Sequence, residues 1–354
     1  MSKKQPIKIY YVVNARLPTE KAHGIQIAKM CEALIGQGMN LEIVVPSRRV
    51  GAAQGTMREF YDLDVAIPLR RLPVLDCYRW GAIGFWIGSV SFVCAYTAFL
   101  LRERIRGRER MVVYTTDIDQ FSFFMLPFLG IDYMVEFHDA KPWSLRFWLL
   151  LRRAAGVVVI NRIIQKEIAA TFGMEAERIA VHPNGIDVRR FSPAMDRAVV
   201  RAARGMPDGV PIVLYAGKCY PWKGLGALVA AAAMSPSFHF YLVGGSRDEL
   251  AGVTGGVIIP ENIIAVGHQP YRAIPEWIAA ADVVLVTGTR GNEYSYRHTS
   301  PMKLFEYMAS ERPIIAADTP AVRQVVSAQE VFFYTPDDGA DLANKIAYAL
   351  DHPD

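Results

Sequence analysis

Ser300-Pro301-Met302-Lys303-Leu304-Phe305-Glu306-Tyr307-Met308-Ala309, followed by the apolar run Pro313-Ile314-Ile315-Ala316-Ala317-Asp318, reads as a helix that leads into a buried strand. Ser300 and Pro301 stand at the helix start, Lys303 lies in the first turn, and Glu306 follows one turn later. The first turn of a helix carries free N–H groups and partial positive charge, so it accommodates an anion such as a diphosphate. A carboxylate further in can accept hydrogen bonds from vicinal hydroxyls, as a ribose offers. The stretch therefore reads as a nucleotide-diphosphate site. The plain alternative is a common Ser-Pro helix opening with an i,i+3 surface pair of Lys303 and Glu306.

The same strand and helix alternation runs through the chain. Continuous apolar runs with β-branched residues at 7–13, 41–45, 111–115, 133–137, 156–160 and 179–182 predict strands, with helical patterns at 24–34, 144–154 and 162–172 between them. After a polar stretch at 192–208 with Gly205, Pro207 and Gly209 as breakers, strands are predicted at 212–216, 238–243, 257–260, 282–286 and 313–317. Helices at 225–233, 271–281, 302–309 and 340–350 fit among them. Such alternation predicts parallel sheets covered by helices on both faces. The expected fold class is α/β, with two Rossmann-like doubly wound domains over 1–204 and 205–354 facing a central cleft.

The composition agrees with this class. A chain of 354 residues exceeds one ordinary core, and its 52% hydrophobic and 21% charged content is that of a globular protein. A net charge of +4 suits anionic small ligands or an anionic membrane surface and is too weak to argue for nucleic acid. Cys31, Cys77, Cys94 and Cys219 lie far apart and form no Cys-x-x-Cys pair, which argues against a zinc site or a disulfide framework. The amino terminus enters a strand-like run without the apolar core of a signal peptide, so a cytoplasmic location is expected.

Several strand ends carry candidate chemistry. Gly217-Lys218 and Lys223-Gly224 bracket a loop that enters a helix, where both lysines can neutralise a diphosphate; the Walker spacing is absent. His138-Asp139 ends the strand at 133–137, and His138 there can hydrogen-bond a sugar hydroxyl or take a proton. Gly24 sits beside the first helix start and permits close approach of another molecule. Pro183-Asn184-Gly185-Ile186-Asp187, with Phe191-Ser192-Pro193 after it, reads as a turn with a structural role.

In this order the motifs resemble the retaining, nucleotide-sugar-dependent glycosyltransferases of the GT-B fold, of the group 1 or family 4 type. The resemblance also takes in Ala280-Ala281-Asp282 before a strand, and it covers nearly the whole chain. It implies transfer of a sugar from a nucleotide-diphosphate donor to a glycan or lipid-linked acceptor. Lys218 and Lys223 would bind the diphosphate and Glu306 the ribose. Groups around Ser300, Pro301, Met302 and Lys303 would meet the diphosphate and sugar. His138 would lie near the sugar, Gly24 would let the first loop close over the phosphates, and His268 within Gly267-His268-Gln269 would frame the base. No protein nucleophile is implied, because the departing diphosphate can take the acceptor proton. No cofactor is expected, and a metal is not expected to be essential: the lysines and helix ends supply positive charge and no Asp-x-Asp pair is present.

Two departures from the family pattern stand out. A second glutamate, at the transferred sugar, is replaced by His298, with Glu293 nearby. The usual segment that crosses back onto the first domain does not follow before Asp354, so that packing is not expected in the same form. Two other activities fit the same residues: a nucleotide-sugar epimerase, and a non-catalytic subunit of a polysaccharide-synthesis complex. Finally, 81–101 holds no charged residue. It is about long enough to span a bilayer, but its glycines, serines and position inside an α/β domain favour a buried or interfacial helix. With Phe147-Trp148-Leu149-Leu150-Leu151-Arg152-Arg153 it predicts peripheral contact with the inner face of the cytoplasmic membrane.

Overall fold

A computed structural model describes residues 7–48, 55–107, 109–117, 123–191 and 195–352. Ser192-Pro193, the first six residues and Pro353-Asp354 lie outside the described residues. The chain divides into two compact units, Met1–Pro183 and Asn184–Asp354.

In the first unit the described residues form seven strands: β1 (Ile7–Val12), β2 (Asn40–Ser47), β3 (Leu69–Pro73), β4 (Arg110–Thr116), β5 (Asp132–Phe137), β6 (Gly156–Val159) and β7 (Ile179–Val181). They make one parallel sheet in the order β3-β2-β1-β4-β5-β6-β7. The second unit holds β8 (Ile212–Ala216), β9 (His239–Val243), β10 (Ile263–Gly267), β11 (Val283–Val286), β12 (Ile314–Ala317) and β13 (Phe332–Tyr334), parallel in the order β10-β9-β8-β11-β12-β13. The central strands form because they are apolar on both faces: every residue of Ile-Val-Leu-Tyr-Ala in β8 and of Ile-Ile-Ala-Ala in β12 is buried. Truncating Leu214 to alanine would cost about 2–5 kcal/mol on that basis. Helix Arg162–Phe172 forms where predicted; Asn161 caps it by accepting from Ile164 N at 2.9 Å, and a left-handed Gly173 ends it.

In each sheet the strand order reverses once, between β1 and β4 and between β8 and β11. The loops after those strands are the places where such sheets take ligands.

Three expectations need correction. The boundary falls at Pro183/Asn184, not near residue 205. Helix Arg197–Ala203 belongs to the second unit because Arg201 Nη2 pairs with Asp282 Oδ2 at 2.6 Å and Arg201 Nε donates to Ala280 O at 2.8 Å. Phe191 is likewise buried in the second unit's core. Residues 257–260 are a loop, with Ile258 almost fully exposed; the carbonyls of Ile259 and Pro260 accept from the Arg247 guanidinium, and the strand starts later, at Ile263. The helix expected over 271–281 opens with a tighter turn at Tyr271–Ala273 and becomes α-helical at Ile274–Ala280.

The uncharged stretch is the first part of a 26-residue helix, Gly81–Arg106. Phe92, Tyr96 and Leu100 are buried in the same core cluster as Tyr10, Val113 and Phe137, whereas Ile83, Trp86 and Val90 are exposed. One face of this helix therefore packs on the sheet, and its length and apolarity alone do not make it a span.

Candidate functional site

In the second unit the elements after β8 and β11 converge. Ala216 N, at the end of β8, donates to Tyr307 Oη at 3.0 Å, which ties helix Met302–Ala309 to the strand end. Pro301 precedes the first helical residue and Ser300 does not cap the helix; Ser300 is held by Asn184, whose backbone N–H donates to its Oγ at 3.2 Å and whose Nδ2 donates to its carbonyl at 2.8 Å. The Pro-Asn-Gly turn thus fixes the start of the helix.

Lys303 in the first turn is buried, its Nζ has no hydrogen-bond acceptor among the described residues, and it lies 3.7 Å from the centre of the Tyr215 ring. Gly217 leaves room for it: φ is 150° and an added Cβ would stand 2.9 Å from Lys303 Nζ. Burial, together with the charge of Lys223, holds the Lys303 ammonium well below the usual lysine range, against the opposing pull of Glu306. Lys223 lies over the Trp222 ring at 4.1 Å, and burial pushes its amine down to about 8. Glu306 is buried and accepts from Tyr271 Oη at 3.2 Å; burial pushes its carboxyl up to about 7, with the Tyr271 hydrogen bond and Lys303 opposing. Tyr271 is in turn braced by the Phe191 ring at 6.0 Å. Two amines and a carboxyl that all resist charging make a site whose electrostatics are completed by an incoming anion.

The loop after β11 carries a π-helical turn, Tyr294–His298, a geometry that often marks functional sites. It meets the β8 loop through Trp222 and Tyr294, ring centres 5.1 Å apart. Of the two side chains at the departure from the family pattern, His298 is buried, whereas the Glu293 carboxylate is 74% exposed and faces Arg297 at 3.8 Å. Lys218 follows Gly217 directly at the β8 exit. His268 is exposed just past β10.

In the first unit His138 leaves β5 and its Nε2 is 2.6 Å from Glu136 Oε1. The same carboxylate accepts from Gln26 Nε2 at 2.7 Å and from Tyr114 Oη at 2.5 Å and is only 3% exposed. Burial would push Glu136 up, but the hydrogen bonds and charge of His138, then Tyr114 and Gln26, hold it below the usual carboxylate range. Burial lowers His138 and Glu136 more than restores it, so the imidazole stands above its ordinary value. Asp117 Oδ1 accepts from His138 N at 3.0 Å and Asp117 Oδ2 pairs with Lys141 at 2.6 Å. Gly24 has a reason within the unit itself: a Cβ there would collide with Tyr61 Oη and with the Thr19 side chain.

The sequence therefore located Lys218, Lys223, Lys303 and Glu306 around the switch point of one sheet and His138 at a strand end of the other. It missed Tyr271, Tyr307, Asn184 as the anchor of Ser300, and the Gln26, Tyr114 and Glu136 network. Glu136 gave a signal as a carboxylate inside an apolar strand, and Asn184 and Tyr307 stood within stretches that the sequence singles out, without their partners.

Residues 210–352 match the family model for glycosyl transferases group 1, and residues 23–185 match that for a glycosyl transferase 4-like domain. The D-inositol 3-phosphate glycosyltransferase of Nocardia farcinica is 30% identical over 166 residues, 43% of this chain and 35% of that protein. A GDP-mannose-dependent monoacylated alpha-(1-6)-phosphatidylinositol monomannoside mannosyltransferase of Corynebacterium glutamicum is 26% identical over 178 residues, 48% of this chain and 46% of that protein. The matched stretch thus spans less than half the length of either relative. Among solved structures, Anabaena HepE in complex with UDP and glucose shares the fold with a TM-score of 0.72 at 18% identity, covering 98% of this chain and 90% of that one. Sucrose-phosphate synthase of Thermosynechococcus elongatus does so with a TM-score of 0.71 at 20% identity, covering 99% and 90%.

Proposed function

The chain belongs to the group 1 glycosyltransferases, with family models matching both of its units, and from this we propose that it moves a sugar from a nucleotide-diphosphate donor, with retention, to a glycan or lipid-linked acceptor. The observation that carries the proposal is the buried Lys303 amine beside Lys223 and Glu306, with no hydrogen-bond acceptor among the described residues and its charging opposed by burial. Lys303, Lys223, Lys218 and the first turn of helix Met302–Ala309 hold the diphosphate. Glu306, oriented by Tyr271, accepts from the ribose hydroxyls. His138 addresses a sugar oxygen. The bond from the sugar's anomeric carbon to the phosphate oxygen breaks, a bond to the acceptor oxygen forms on the same face, and the acceptor proton passes to the departing phosphate. Lysines and helix N–H groups stabilise the charge that develops there, so no nucleophile and no essential metal enter the scheme.

HepE is solved with UDP and the Corynebacterium relative is named for GDP-mannose, so UDP-sugars and GDP-sugars are the donors to try first. A thermal-shift screen across nucleotide sugars finds the donor, because a ligand that binds only the folded state raises its stability. Transfer to acceptor extracts then tests the activity. Glu306→Ala and Lys223→Ala are each expected to weaken donor binding and largely abolish transfer with the fold retained; wild-type activity in either variant rejects these roles. Activity lost in chelator and restored by manganese or magnesium would reject the metal-free scheme. Nucleotide release without any acceptor, accompanied by an epimerised sugar, would favour the epimerase. A cytoplasmic enzyme working at the membrane face fits the exposed apolar residues of helix Gly81–Arg106. One observation favours a non-catalytic subunit instead: the buried residue in place of the family's second glutamate is His298. Donor binding with no transfer to any acceptor is the outcome that supports it.

A further inference from the structure

We propose that Glu136 is a positioning residue that keeps His138 as an imidazolium, so that His138 offers Nδ1–H as a charged hydrogen-bond donor to a substrate oxygen and does not act as a base. The substrate part of this rests on the transferase reading above; the charge state of His138 does not.

Hydrogen-bond directions carry the argument. Tyr114 Oη and Gln26 Nε2 meet the two oxygens of the Glu136 carboxyl at 2.5 and 2.7 Å, and each approaches as a donor. Gln26 Nε2 can only donate, Tyr114 is held protonated and free to donate, and the carboxyl stands below its usual range, all of which favour the ionised form; His138 Nε2 at 2.6 Å then donates as well. An ionised carboxylate only 3% exposed requires a positive counterpart. Lys141 does not supply it, being paired to Asp117 at 2.6 Å. His23 does not either: burial first, then the charges of Lys21 and His138, push its imidazole down to about 4, so it stays neutral. Tyr114 and Tyr11 are held protonated by burial and by the Glu136 charge. Among the described residues the counterpart is therefore His138, which Asp117 also favours and Lys141 opposes.

With Nε2 committed to Glu136, Nδ1 is the ring nitrogen left to meet a ligand, and the side chain is 21% exposed. A neutral ring in this pose would present Nδ1 as a lone pair, hence a base. An imidazolium presents it as a donor. Glu136 decides between the two.

The test follows the His138 imidazole by NMR in the full chain, assigned with His138→Gln, alongside the pH profile of kcat/KM. Wild-type His138 is expected to titrate above the ordinary value of about 6.5, and Glu136→Gln to lower it by about one unit or more. Activity is expected to fall as pH rises through the wild-type value, and that fall to move to lower pH in Glu136→Gln. A wild-type imidazole titrating at or below about 6.5 overturns the proposal whether or not Glu136→Gln folds. So does activity that rises as His138 loses its proton. The expected titration with no turnover on any donor and acceptor would reject the transferase reading while upholding the Glu136 and His138 charge pair.

Discussion

Lys303 Nζ rests 3.7 Å from the centre of the Tyr215 ring and meets no hydrogen-bond acceptor among the described residues, although it is buried. Burial opposes the charged form of this amine, and an arriving anion favours it. Lys303→Met keeps an apolar stem and removes the amine. It is expected to weaken donor binding about 10- to 100-fold, since hydrogen bonds to charged groups contribute about 1.5–3 kcal/mol. The unliganded protein is expected to be as stable or more so, because a desolvated amine is gone. Calorimetric titration with the donor and a denaturation curve check both; unchanged affinity removes Lys303 from the diphosphate site.

Glu306 gives the site a pH signature. Its folded-state carboxyl is raised to about 7, above its unfolded value, so its contribution to stability is present below the unfolded value and is lost as pH rises through about 7. Glu306→Gln is expected to spare that loss and to be more stable than wild type at about pH 8, by on the order of 1–3 kcal/mol, with a much smaller difference near pH 5. Donor affinity should drop in the same variant. Denaturant melts at the two pH values measure it, and equal stability differences at both would mean that burial does not hold the Glu306 proton.

Asn184 is expected to act on the donor site from behind. Asn184→Ala removes the 2.8 Å hydrogen bond to the Ser300 carbonyl and costs about 1 kcal/mol of stability. The helix start it anchors also loses definition, so donor affinity should fall several-fold although Asn184 is assigned no ligand contact. Stability lost with affinity intact would make the turn purely structural.

What the sequence made legible follows from burial. Strands β8 and β12 are continuous apolar runs because both faces of a parallel sheet are covered, whereas β3, β10 and β13 are edge strands and short or one-sided. In β3 the alternation Leu69-Arg70-Arg71-Leu72 leaves only Leu72 buried, which reads as a loop. The candidate residues Lys218, Lys223, Lys303 and Glu306 stand in local patterns, at loops and helix starts, which is why the sequence singles them out. The contacts of Tyr271 and Asn184 were not legible: they reach Glu306 and Ser300 across separations of 35 and 116 residues, and no local spacing encodes such contacts. Helix Arg197–Ala203 went to the wrong unit for the same reason, since its anchor, Asp282, lies 81 positions from Arg201.

The last prediction concerns lipid. Helix Gly81–Arg106 and helix Leu145–Arg153 contribute to one core cluster of the first unit, with Phe92, Tyr96 and Leu100 from one and Phe147, Leu150 and Leu151 from the other. Outside that cluster Ile83, Trp86, Val90, Trp143 and Leu145 are exposed, and Arg152 lies against Trp148. Exposed apolar side chains suit the boundary between headgroups and acyl chains, and each basic residue near an anionic surface adds about 1 kcal/mol. The protein is expected to float with anionic liposomes at low salt and less with neutral ones. Ile83→Glu with Trp86→Glu should reduce flotation strongly, and because both side chains point away from the core, the fold and donor affinity should hold. High salt is expected to weaken binding without abolishing it, since the apolar part is not screened. A protein that stays in the soluble fraction under all these conditions would reject the membrane contact and leave the donor site as it stands.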